Sequence, residues 1–134
     1  MREANETITV FNAKVDADGF DVWYPSTIRG VSWHARVAST VTADGLRAAN
    51  EVTIRIPATA DLGGKTYVEP VAYPDSEPAS TFTLQQGSMV IRGVEPQALT
   101  QSELMAKYGQ CLTIVGVTDN RHRPREPHIK IVGT

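Results

Sequence analysis

Cys111-Leu-Thr-Ile-Val-Gly-Val-Thr-Asp-Asn-Arg-His-Arg-Pro-Arg-Glu-Pro-His-Ile-Lys-Ile-Val-Gly-Thr134 is the stretch that decides the fold. Leu112 to Val117 reads as an apolar strand. Asp119-Asn120 turns the chain into a basic loop with Arg121, Arg123 and Arg125, broken by Pro124 and Pro127. His128 to Val132 returns as a second strand. Its side chains alternate, so Ile129 and Ile131 share one face and His128 and Lys130 the other. The pair is a hairpin with a charged tip.

The same grammar extends towards the N-terminus. Thr7 to Phe11 alternates, with Ile8 and Val10 on one face, and Asp18-Gly19 is a hairpin turn signal. Phe20–Tyr24 and Thr27–Arg36 resume the strand pattern around Pro25, which marks a bend or a sheet edge. Val37–Thr42 is β-branched and reads as strand or loop, and Asp44-Gly45 turns again. Glu51–Ile56 is the cleanest strand: Val52, Ile54 and Ile56 face the core, and Glu51, Thr53 and Arg55 face outward. Tyr67–Tyr73 is extended. Thr81–Leu84 and Met89–Arg92 form a hairpin candidate around Gln85–Ser88. Ala13–Gly19, Ala43–Asn50, Ala58–Lys65 and Pro74–Ala79 read as loops, which carry function when a rigid scaffold holds them.

One helix is expected. Thr100 and Glu103 form a capping box. Leu104 and Tyr108, four apart, press on the sheet, and Gly109 suits the left-handed stop. The expected fold is therefore all-β: a small barrel or sandwich of about eight short strands, with one short helix near Thr100–Tyr108.

The 134 residues fit one domain with a single core, spanning residues 1–134. A formal charge of −2 creates no global field for nucleic acid or membrane. The single cysteine, Cys111, reads as a buried reduced thiol. No apolar run reaches the length of a membrane helix, and the N-terminal residues lack a secretory pattern. The protein is expected to be made and kept in a cytosol unless a larger assembly carries it elsewhere.

Chemistry is hard to find. His34, His122 and His128 lack metal-ligand spacing with Cys111, so no metal or cofactor is expected. Asp16, Asp18 and Asp21 echo a calcium loop, but the glycine and the closing glutamate are misplaced. Gly63-Gly64-Lys65-Thr66 echoes the end of a phosphate loop without its first glycine, which Thr59 replaces. No nucleophile elbow or carboxylate pair stands out, and no enzyme is expected. The candidate partner-binding residues are Arg121, His122, Arg123 and Arg125. Arginine forks grip carboxylate or phosphate. The plain alternative is a solvated tip, and contact with a protein neighbour fits best. Trp23, Tyr24 and Trp33 are core residues or interface anchors.

The order of motifs resembles a known family. Asn5–Asn12, Trp23-Tyr24, Gly30–Trp33, Val52–Pro57, Phe82–Ser88 with Val90–Gly93, Lys107–Gly109, Gly116–Arg121 and Pro127–Gly133 resemble the minor structural proteins of tailed phages and prophages of Gram-positive bacteria. In plan the chain is also similar to phage head-closure (head–tail joining, stopper) proteins. That resemblance implies a virion subunit of the neck, in the host cytoplasm during assembly, that forms a homo-oligomeric ring of six- or twelvefold symmetry. Portal or adaptor protein would lie on the head side and tail terminator on the tail side. Genomic DNA would pass transiently through the channel. A tail terminator or other tail-completion protein is an alternative. A tail-tube role is disfavoured because the longest strand candidates are short. A carbohydrate- or host-binding β module is an alternative of another class.

Overall fold

The computed structural model describes residues 5–15, 18–42, 45–77, 80–108, 111–122, 124–125 and 127–134; for Val15 and residues 36–42 and 45–50 it describes the backbone alone. The chain is mainly β, as expected. The strands are β1 (Glu6–Val15), β2 (Asp21–Thr42), β3 (Gly45–Pro57), β4 (Thr66–Tyr67), β5 (Thr81–Phe82), β6 (Met89–Arg92), β7 (Leu112–Asn120) and β8 (His128–Gly133). One helix, α1, spans Gln101–Tyr108.

Six strands pair in the cyclic order β1-β2-β3-β8-β7-β6 and make a ring-like sheet. Its weakest seam is β6–β7, where only Met89–Thr113 and Val90–Leu112 are paired. Apolar side chains from every wall meet inside: Ile8, Val10, Ile28, Val52, Ile54, Val90, Ile114 and Ile131 are all buried. The alternation read from Val52, Ile54 and Ile56 places them correctly.

β1 is buried on both faces. Ile8 and Val10 point into the ring, while Phe11 joins Met89, Ile91, Leu104 and Cys111 in a second cluster outside it. The cause is α1, which lies over this part of the wall. Its start is fixed by the expected capping box: Thr100 N donates to Glu103 Oε1 at 3.1 Å, and Glu103 N donates to Thr100 Oγ1 at 3.4 Å. Leu104 is fully buried and Tyr108 packs beside it. The Gly109 stop lies outside the described residues.

Several expectations need correction. β2 is one strand of 22 residues rather than three short pieces. Asp21–Val31 pairs with β1, and Ser32–Thr42 pairs with β3. The change of partner follows Gly30, whose φ of 83° is accessible to glycine at little cost. Pro25 is tolerated because this half of β2 has β1 on one side and, among the described residues, no strand on the other. Gly45–Asn50 is the paired start of β3 rather than a loop, opposite Val37–Thr42. The premise that all strands are short is therefore overturned. Ala13–Val15, read as the start of a loop, belongs to β1.

The expected Thr81–Arg92 hairpin does not form. β5 pairs in parallel with β4, while β6 pairs with β1 and β7. A buried side chain explains the difference. Asn12 Nδ2 donates to the Thr83 carbonyl at 2.8 Å, and Thr83 N donates to Asn12 Oδ1 at 3.0 Å. Asn12 thus takes the hydrogen-bonding place of a neighbouring strand, while Phe82 and Leu84 enter the core. The Tyr67–Tyr73 stretch is strand only at its start, and Tyr73–Asp75 is a 3-10 turn.

Candidate functional site

The β7–β8 turn carries the predicted arginine cluster, and the structure separates its members. Arg121 lies at the surface but is engaged within its own chain. Its Nε donates to Asp119 Oδ1 at 2.9 Å and its Nη2 to Asp119 Oδ2 at 2.7 Å. The backbone N–H of Arg121 adds a third bond to Asp119 Oδ1 at 3.0 Å. Glu69 lies 3.5 Å from the same guanidinium, which rests 5.0 Å from the Tyr67 ring centre. Three donors converging on one carboxylate hold Asp119 well below the ordinary aspartate range, at about 2. Arg121 is therefore a brace that fixes the turn against the Tyr67–Glu69 segment. His122 and Arg125 are exposed at the tip, and Arg123 lies outside the described residues.

Two hollows flank this brace. An apolar cavity of about 170 Å³ opens between Ile56, Leu62, Tyr67, Phe82 and Ile129, with Arg121 at its edge. A shallower groove of about 400 Å³ runs along β7. One bank is Val115, Gly116, Val117 and Asp119; the other includes Glu69, Pro70, Gln85 and Gln86. Val115 and Val117 are 44 % and 36 % exposed, unusual for valines in a strand of this sheet. Sequence reading missed the groove, because its far bank comes from segments distant in the chain. Val115 is the extra residue at a register shift between Ile114 and Gly116, an irregularity that the alternation of the chain does not announce.

The other motifs resolve into structural roles. Lys65 Nζ donates to the Pro25 carbonyl and to Ser26 Oγ, both at 2.9 Å, so this amine seals the open edge of β2. The same loop bridges Arg29 and Asp61 through two backbone bonds of 2.8 and 2.9 Å. Gly63-Gly64-Lys65 is thus an edge cover rather than a phosphate cradle. Trp23 packs against the Phe11 cluster and Trp33 against the interior, with Arg92 5.4 Å from the Trp33 ring. The two tryptophans form no common platform. Cys111 is a free, buried thiol, as expected, and burial pushes its pKa up.

A buried carboxylate was also missed. Glu95 is 1 % exposed and accepts from Lys107 Nζ at 2.6 Å and from Gln97 N at 3.2 Å. The Tyr108 hydroxyl lies 3.0 Å from it. The Lys107 bond is the chief reason its pKa is lowered. This set ties α1 to the strand wall through Thr9, whose Oγ1 accepts from Glu95 N and donates to the Gly93 carbonyl. Among the described residues, no three of His, Cys, Asp or Glu converge as metal ligands would.

The architecture defines a class: a small ring-like β protein with one helix on its outer wall and a braced turn at one end. Within that class the chain belongs to a family of unknown function, DUF6751, whose model matches residues 3–134. No curated protein and no solved structure matches it.

Proposed function

We propose that this protein is a structural subunit of the neck of a tailed phage, a head-closure or head–tail joining component that assembles into a homo-oligomeric ring. The motif order supplies the phage assignment by resemblance. The observation that carries the structural role is the arm formed by β2 and β3. From Val37 opposite Asn50 to Thr42 opposite Gly45 the two strands pair only with each other. β1 stops at Val31 and β8 stops at Val52. Six residue pairs therefore extend beyond the sheet, about 20 Å at 3.3 Å per residue. A two-stranded ribbon is marginal in water on its own. Its natural use is contact with a neighbour.

No enzyme activity enters this proposal. In it the exposed end of the β7–β8 turn, with His122 and Arg125, faces an adjoining virion protein, and Arg121 shapes that end from within. A slightly acidic subunit also suits a channel through which DNA slides, since a basic lumen would retain it by counterion release.

A tail-completion role, as terminator or tube component, is the second reading. The long β2–β3 ribbon favours it, because such an element suits stacking between layers. The separated tryptophans give the carbohydrate-binding reading little support. Mass spectrometry of purified particles, followed by cryo-electron microscopy of the neck, tests the proposal. The expected result is density for this fold between portal and tail. Its absence from particles refutes the role. Density beyond the neck, along the tail, selects the second reading.

A further inference from the structure

The groove along β7 is a vacant strand position. β8 covers one side of β7 from Ile114 to Asn120. On the other side β6 reaches only Leu112 and Thr113. The Gln85–Ser88 turn then contributes three bonds: Gly87 N to the Ile114 carbonyl at 2.9 Å, Ile114 N to the Ser88 carbonyl at 2.8 Å, and Gln86 Nε2 to the Val115 carbonyl at 3.3 Å. From Gly116 to Asn120 no strand lies alongside this edge among the described residues. Natural sheets blunt such edges with lysine, proline or a covering loop. Here the edge itself carries no lysine or proline; the Glu69–Pro70 and Gln85–Gln86 bank stands across the groove from it and leaves Val115 and Val117 exposed.

The arm is the other unmatched element, since among the described residues its two strands pair only with each other. The strand registers place arm and groove at opposite ends of the same sheet. Val52, where the arm leaves, aligns with Gly133, and Gly133 with Ile114. Pro57 aligns with His128, and His128 with Asn120. A chain therefore cannot lay its own arm in its own groove.

We infer that the arm of one copy adds as a strand to the β7 edge of the next copy. Main-chain hydrogen bonds supply the affinity, as in other strand additions. The occupant is a second copy because the molecule offers two open edges of similar length, each lacking what the other provides. The contact joins unlike surfaces, so it propagates from copy to copy and closes into a ring when the rotation permits. The inference rests on the structural-subunit reading for the purpose of the assembly, while the contact is tested separately.

Two single-cysteine variants, Ala48→Cys in the arm and Val117→Cys in the groove, are made with Cys111→Ser and mixed under mild oxidation. A cross-linked dimer containing one chain of each kind is expected, with little cross-linking in either variant alone. Failure to cross-link at millimolar concentration overturns the inference. Replacing Val37–Asn50 by an Asn-Gly turn is expected to leave a folded monomer. Val117→Lys, which leaves the arm intact, is expected to weaken self-association by at least about tenfold. Rings formed by the arm-deleted protein overturn the contact but leave the neck assignment standing. Cross-linking by a protein absent from virions supports the contact and refutes the neck assignment.

Discussion

Asn12→Leu tests whether one side chain replaces a strand. The substitution keeps the number and branching of the side-chain heavy atoms and removes the amide. It deletes the 2.8 Å bond to the Thr83 carbonyl, the 3.0 Å bond from Thr83 N and the 3.1 Å bond to Ser88 Oγ. Asn12 and Thr83 are both fully buried, so water does not simply take over these bonds. Each orphaned backbone group costs about 1–3 kcal/mol. The added apolar surface of leucine returns roughly 1 kcal/mol. The net expectation is a loss of about 3 kcal/mol, read as a lower urea midpoint at unchanged slope. In a thermal melt this corresponds to roughly 10 °C. Native-state hydrogen exchange should show the Thr83 amide losing protection before the β1–β2 ladder does. A change below about 0.5 kcal/mol, with Thr83 still protected, refutes the reasoning. Burial of Phe82 and Leu84 would then be sufficient to hold this segment.

Three further outcomes are expected. Leu104→Ala should cost about 2–5 kcal/mol by opening a cavity under α1, and should speed labelling of Cys111 by a thiol reagent; unchanged labelling argues that the helix does not shield the thiol. Asp119, with its pKa depressed to about 2, adds stability that is present above the ordinary aspartate value and fades as pH falls towards about 2. Because the pair is partly exposed, Asp119→Asn should cost only about 0.5–1 kcal/mol at neutral pH, and an NMR carboxyl titration with an ordinary midpoint would refute the brace. Glu95→Gln should lower the melting temperature at neutral pH, with the gap to wild type shrinking in acid because the native carboxyl pKa is depressed; a gap independent of pH would show that charge at this position is immaterial.

Local features were legible because local physics sets them. The Thr100–Glu103 box depends on residues three apart, and the Val52–Ile56 alternation depends on a period of two. Both therefore appear in the chain as written. The β7–β8 hairpin was also legible, although β7 runs on to Asn120. Partner choice was less so. Pro25 and Gly30 look like strand breaks until the missing neighbour of one half and the change of partner are known. Residues 81–92 carry two strand-like runs and a turn, yet their pairing is decided by Asn12, far away in sequence. The arginine cluster read as a uniform basic patch, because its sequence does not reveal that Asp119 and Glu69 occupy Arg121.

The continuity of β2 has a mechanical consequence. The projecting ribbon is the same covalent strand that lines the body from Asp21 onward, with no flexible linker at its root. Load applied at its far end passes along the peptide backbone to the β1 ladder, where several bonds resist sliding together. Rotation of that end is likewise delivered to Gly30, where the strand changes allegiance. A push on this lever is thus registered by the body of the protein.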